Sequence, residues 1–149
     1  MQKRYTTSGN QTAAATASII SLMSATTILP TIYEVVVGNI SAPTDNSYRL
    51  YLGAIIDDGT NTSVTPNPDA EFYPASACTA GSNHTGEPNY TSGAAWLDYG
   101  VNYGNTFRWV VPEEEGITIQ NSASQGAGLR TVSISGSGVE LYGVIKHSE

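Results

Sequence analysis

The chain has 149 residues, a length that suits one domain able to bury a core without disulfide staples. Charged residues make up 13%, about half the usual roughly 25%, so Ser, Thr, Asn and Tyr must solvate the surface. A net charge of −7 with six scattered Lys and Arg excludes nucleic acid as a partner, because a polyanion groove needs clustered cations.

Residues 1–16 are polar, then Ala/Thr-rich, and read as an N-terminal arm or a loosely held first strand; the body of a single domain follows over 17–149. Lys3 and Arg4 are the one adjacent cationic pair and could tie such an arm to an acidic partner, or simply be solvated. In ASIISLMSA (17–25) the alanines allow a helix, but the surrounding Thr and Ser favour a strand. The same run is too short and too rich in hydroxyls for a signal peptide. No stretch approaches the 18 or more apolar residues of a membrane span, so no membrane partner is expected.

After Pro30 a period of two takes over. In TIYEVVVG, Tyr33, Val35 and Val37 share a face opposite Glu34. In YRLYLGAII, Leu50, Leu52, Ala54 and Ile56 share a face opposite Arg49 and Tyr51. The turn formers of SAPTDNS (41–47) predict a hairpin or a short inter-sheet connection. Residues 57–93 hold four of the seven prolines and read as one long Pro/Thr-rich loop packed over the body. AAWLDYGVNYG (94–104) begins a helical turn or a short strand. TFRWVV (106–111) turns Phe107, Trp109 and Val111 inward, and ITIQ (117–120) follows as a strand-like run. NSASQGAG (121–128) reads as a flexible connection, TVSIS as a strand and GSG as a tight turn. VELYGVIKH closes the chain with Val139, Leu141 and Ile145 on one side. Seven or eight strands with no long helix predict an all-β sandwich or barrel.

Few residues here could do covalent chemistry. The imidazoles are His84, in the loop-like SNHTGEP, and His147. No G-x-S-x-G elbow presents a nucleophile. Cys78 has no second cysteine for a disulfide or a zinc pair, and reads as a small buried side chain. His84 and Glu87 lack an H-E-x-x-H frame, and Asp57-Asp58-Gly59 lacks the alternating carboxylates of a calcium loop. Asp69 and Glu71 read as a solvated pair, although a cation could bridge them. The expectation is therefore no enzyme, no cofactor and no metal.

Glu113, Glu114 and Glu115 are adjacent, and neighbours in an extended chain point to opposite faces, so they cannot converge as an acid/base pair. Bracketed by Pro112 and Gly116, they read as a charged hairpin tip that solvates a turn or meets a basic neighbour. Tyr99 and Tyr103 could line a sugar groove; half-buried strand positions are the plainer reading.

Two stretches carry a resemblance. One is SVTPNPDAEFYPASACTAGSNHTGEPNYT (63–91), with Pro66, Pro68, Asp69, Glu87, Pro88 and Tyr90; the other is FRWVVPEEEG (107–116), with Arg108, Trp109, Pro112 and Gly116. Followed by GAGL and a last alternating strand, this order resembles the small jelly-roll capsid decoration (cement) proteins of tailed bacteriophages, over about residues 30–149. The three glutamates stand where such proteins more usually carry a Gly-rich turn. The resemblance implies a single-domain jelly-roll β-sandwich, a homotrimer, with the major capsid protein as partner. It implies a place on the outer surface of the phage head, where the protein clamps neighbouring capsomers. The candidate assembly contacts are Lys3, Arg4, Tyr5, Glu113, Glu114 and Glu115. A receptor- or glycan-binding module of a tail fibre or spike, reading sugar through Trp96, Tyr99 and Tyr103, is the alternative.

Overall fold

A computed structural model describes residues 2–14, 16–42, 46–93, 95–132 and 139–149. These form the strands β1 (Arg4–Thr12), β2 (Thr16–Met23), β3 (Thr31–Asn39), β4 (Ser47–Ile55), β5 (Thr60–Val64), β6 (Asn67–Pro68), β7 (Thr79–Gly86), β8 (Leu97–Asn102), β9 (Phe107–Val110), β10 (Ile117–Thr118), β11 (Gly126–Val132) and β12 (Glu140–Ser148). Two antiparallel sheets result. The first runs β10-β3-β12-β1-β6, with β9 beside β10 on the same edge of β3; the second runs β5-β7-β2-β11-β4-β8. The protein is all-β and sandwich-like, and no helix among the described residues is long and apolar enough to cross a membrane.

Alternation builds the core. Leu50 and Leu52 of β4 and Leu129 of β11 meet Val35 and Val37 of β3 and Leu141 and Ile145 of β12, all fully buried. Each such side chain contributes roughly 2 kcal/mol by leaving water. Two bulges break the period in the core strands, besides an irregularity between β5 and β7. The β3–β12 register passes from Glu34↔Lys146 to Ile32↔His147. The extra residue, Tyr33, is thereby turned out of the core, and Ile32 takes the place expected for it. The β2–β11 register passes from Ile20↔Leu129 to Ser18↔Arg130. Ile19 and Ile20 therefore both lean on Gly143 of the opposite sheet, where an added Cβ would sit 3.0 Å and 3.3 Å from them. That double contact is why ASIISLM shows no clean alternation. At the end of β4 it is Ile55 that is buried, while Ile56 is 41% exposed.

Four expectations change. Of the two readings of residues 1–16, the first strand is the one found and the arm is not: Arg4–Thr12 is a strand between β12 and β6, paired with β12 along its whole length from Arg4↔Ser148 to Thr12↔Glu140. Its core-side residues are mostly small and polar, such as Thr7 and Gly9, which hides it from a hydrophobicity pattern. Residues 57–93 are not one loop, since they contain β5, β6 and β7, strands of Thr, Ser, Asn and Gly. Residues 126–128 are not a flexible connection but the buried start of β11, held between β2 and β4. Nor do FRWV and IT pair with each other. Val110↔Glu34 and Ile117↔Ile32 place both on the same edge of β3, so residues 112–116 leave that edge and rejoin it. AAWLDYGVNYG contains the strand β8. β3 and β4 lie in different sheets, so SAPTDNS is an inter-sheet connection; its residues 43–45, and residues 133–138 with the expected GSG turn, lie outside the described residues.

The sheets close on each other beside β1 and β7. Gly9 lets the backbones approach, because an added Cβ would lie 2.5 Å from Ser82 Oγ. That hydroxyl accepts from Asn10 N (2.9 Å) and is 3.2 Å from Asn10 O, while Gln11 Nε2 donates to His84 O at 2.7 Å.

Candidate functional site

The register of β1 against β12 and β6 brings Arg4 to the rim of the first sheet, and the excursion at 112–116 projects from the β3 edge of that sheet. The two meet. Arg4 Nε donates to Glu113 Oε1 at 2.6 Å, and the guanidinium lies 5.9 Å from the Tyr33 ring centroid. Glu113, through this hydrogen bond, raises the Arg4 pKa. Burial, with Asp69 nearby, pushes the Tyr33 phenol up to about 12. Gln2, Arg4, Tyr73 and Glu113 line a cleft of about 370 Å³ at this rim. Phe72, 80% exposed, packs edge-on against Tyr73 with centroids 4.9 Å apart. The glutamates form one 3-10 turn, closed by Glu115 N to Pro112 O and Gly116 N to Glu113 O, with no buried residue among them.

The six residues nominated from sequence therefore fall into three groups. Arg4 and Glu113 hold each other. Lys3, Glu114 and Glu115 are exposed, with the Lys3 backbone tied to Glu149 on both its N–H and its carbonyl. Tyr5 is a correction: it is fully buried, stacks on His147 at 5.5 Å and donates to Pro74 O, so it cannot meet a partner. Strand alternation carries it inward once 4–12 is a strand. Gln2, Tyr33, Phe72 and Tyr73 complete the surface and were not legible as site residues, because no local pattern links residues so far apart in the chain. Among the sugar-groove candidates Tyr103 is also buried, stacked on Tyr48 at 4.9 Å. Tyr99 and Trp96 remain exposed, with Tyr99 tilted against Phe107.

Several of the remaining polar candidates have structural partners. His84 is a buried strand residue, not a loop residue; its Nδ1 faces Ser18 O at 3.1 Å and its Nε2 faces Ser21 Oγ at 3.0 Å. Burial lowers its pKa, with the Ser18 contact working the other way. Asp57 accepts the amides of Gly59 and Asn89, and Asp69 accepts Thr6 Oγ1. Burial disfavours the Glu34 charge, but Arg108 at 2.8 Å and Lys146 at 3.4 Å outweigh it and hold its pKa below the ordinary value. The resemblance residues Glu87 and Tyr90 anchor the 57–93 segment on β2 and β11. Glu87 accepts Ser18 N and Ser18 Oγ, Tyr90 Oη lies 2.9 Å from Ser18 Oγ, and Arg130 stacks between Tyr90 (3.8 Å) and Tyr51 (4.7 Å).

Fold and surface together define the class: an all-β, sandwich-like protein with a polar, charge-poor exterior. No protein-family model, curated protein or solved structure matches the chain.

Proposed function

We propose that the sandwich is a jelly roll and that the protein is a capsid decoration (cement) protein of a tailed bacteriophage. The strand order is the observation that supports this. Setting the 57–93 insertion aside, the sheets reduce to β1-β12-β3-β9/β10 and β2-β11-β4-β8, with consecutive strands of each half crossing between them. Eight strands in two such sheets are the jelly-roll arrangement. β5, β6 and β7 then form an insertion that extends both sheets beyond β1 and β2.

In this reading a homotrimer sits on the outer surface of the head, at local threefold positions. It contacts the major capsid protein and braces neighbouring capsomers against internal pressure. Each contact is weak, and simultaneous engagement raises the effective affinity. Few charges need desolvating when copies pack closely, which suits a surface built from Ser, Thr, Asn and Tyr. The rim of Lys3, Phe72, Glu114 and Glu115 around the Arg4–Glu113 pair is the proposed contact. Catalysis and a cofactor have no part in this role. Cosedimentation of the purified protein with undecorated heads of its parent virus tests the proposal. Saturable binding is expected; absence of binding to every form of the head refutes it. Exposed Trp96 and Tyr99 beside Phe107 favour the second reading, a tail-borne glycan-binding module, and glycan binding lost in Tyr99→Ala would support that one instead.

A further inference from the structure

Cys78, 71 residues from Glu149 in the chain, meets His147 and Glu149 of the C-terminal end at one buried point. Their donor atoms all lie within 4.8 Å of one another. His147 is fully buried, Cys78 is 4% exposed and the Glu149 side chain 6%. His147 Nε2 is 3.2 Å from Glu149 Oε1, close to the roughly 3.3 Å that separates two nitrogen or oxygen ligands of one tetrahedral zinc. Nε2 is thus the ring nitrogen that faces the carboxylate, and the buried Nδ1 has no hydrogen-bond partner. The Tyr5 ring stacked on it fixes its plane.

We propose that Cys78 Sγ, His147 Nε2 and a Glu149 carboxylate oxygen form a zinc site. Thiolate, imidazole and carboxylate are the donor set that zinc takes, and thiolate with imidazole disfavours magnesium and calcium. A thiolate and a carboxylate together neutralise the dication, so the occupied site carries no net charge where burial would penalise one. The sulfur must close to about 3.5 Å from the other two donors, and water or Ser76 Oγ, already bonded to Glu149, is at hand for the fourth position. Binding breaks the S–H bond of Cys78, forms the S–Zn bond and releases the thiol proton to solvent. The site would pin the 74–78 segment to the last strand. It stands independently of the capsid reading.

The site is distinct from an ordinary hydrogen-bonded clamp, in which Glu149 merely accepts Ser76 Oγ and the amides of Ala77 and Cys78. The test starts from folded, chelator-stripped protein incubated with Co²⁺ and then Zn²⁺. One cobalt per chain with a sulfur-to-metal charge-transfer band, bleached by zinc and absent in Cys78→Ser and His147→Gln, is expected. Calorimetry in two buffers should show about one proton released per zinc. Zinc at a hundredfold its Kd should raise Tm by about 5 °C or more. No sulfur-to-cobalt band, or a band that survives in Cys78→Ser, overturns the proposal. If the variants do not fold, the wild-type protein decides alone: neither heat nor a Tm shift with zinc overturns it.

Discussion

Substituting Gly128 by Ala tests how the 57–93 segment is held to the body. An added Cβ would lie 2.4 Å from Tyr90 Oη and 2.6 Å from Tyr90 Cζ, distances that real Cβ atoms do not tolerate. β11 is paired on both sides and cannot shift, so Tyr90 must move. Moving it breaks the Ser18–Tyr90 hydrogen bond and lifts the ring from Arg130. The hydrogen bond contributes about 1 kcal/mol, the cation–π contact about 1 kcal/mol, and lost packing a similar amount. The expected loss is about 2–4 kcal/mol, or about 5–15 °C in Tm for a domain of this size. Urea melts of Gly128→Ala, Tyr90→Ala and the double variant give the coupling directly. In the Tyr90→Ala background the Gly128→Ala change should cost under about 1 kcal/mol. A single Gly128→Ala variant within about 0.5 kcal/mol of wild type would refute this account of the anchor.

Replacing Glu113, Glu114 and Glu115 together by Ser should change Tm by less than about 3 °C, since no residue of the turn is buried. The same variant should bind heads more weakly; unchanged head binding would remove the turn from the contact. Phe72→Ser, at an 80% exposed position, should likewise leave folding intact while weakening head binding; unchanged binding would take Phe72 out of the contact too. Acid should weaken the fold in two steps. Burial depresses the His84 pKa, so the unfolded chain binds its proton more readily, and this stability is present above pH about 6.5 and lost below it. Glu34 is also depressed, so its contribution is present above the ordinary glutamate range, about 4.3, and lost as the pH falls further. The stability difference between wild type and His84→Gln should shrink between pH 7.5 and 5.5; a constant difference would contradict the neutral buried imidazole.

Much of the first sheet was legible because Val35, Val37, Leu141 and Ile145 alternate with polar residues on a half-buried surface, and Leu50 with Leu52 did the same for the second. β1, β5 and β7 were not. The buried positions of β1 and β7 include Thr7, Ser82 and His84, and β5 has none; Ser82 and His84 are satisfied by partners in other strands, and hydrophobic periodicity carries no information about partners. The bulges at Ile19 and Tyr33 shifted the period by one residue, which moved Tyr33 out of the core and both isoleucines into it. The sequence shows the glutamate turn as exposed, but it predicts that the flanking strands pair with each other. Both pair with β3 instead, a non-local fact that turn chemistry cannot supply. The Arg4–Glu113 pair joins residues 109 apart in sequence, so each end could be noticed alone but not their meeting.

Averaged images of the source particle test the central proposal most directly. Density of the size of a small trimer on the outside of the head, at local threefold positions and removed together with this protein, is the predicted result. A bare head with the protein's density at the tail tip would contradict it.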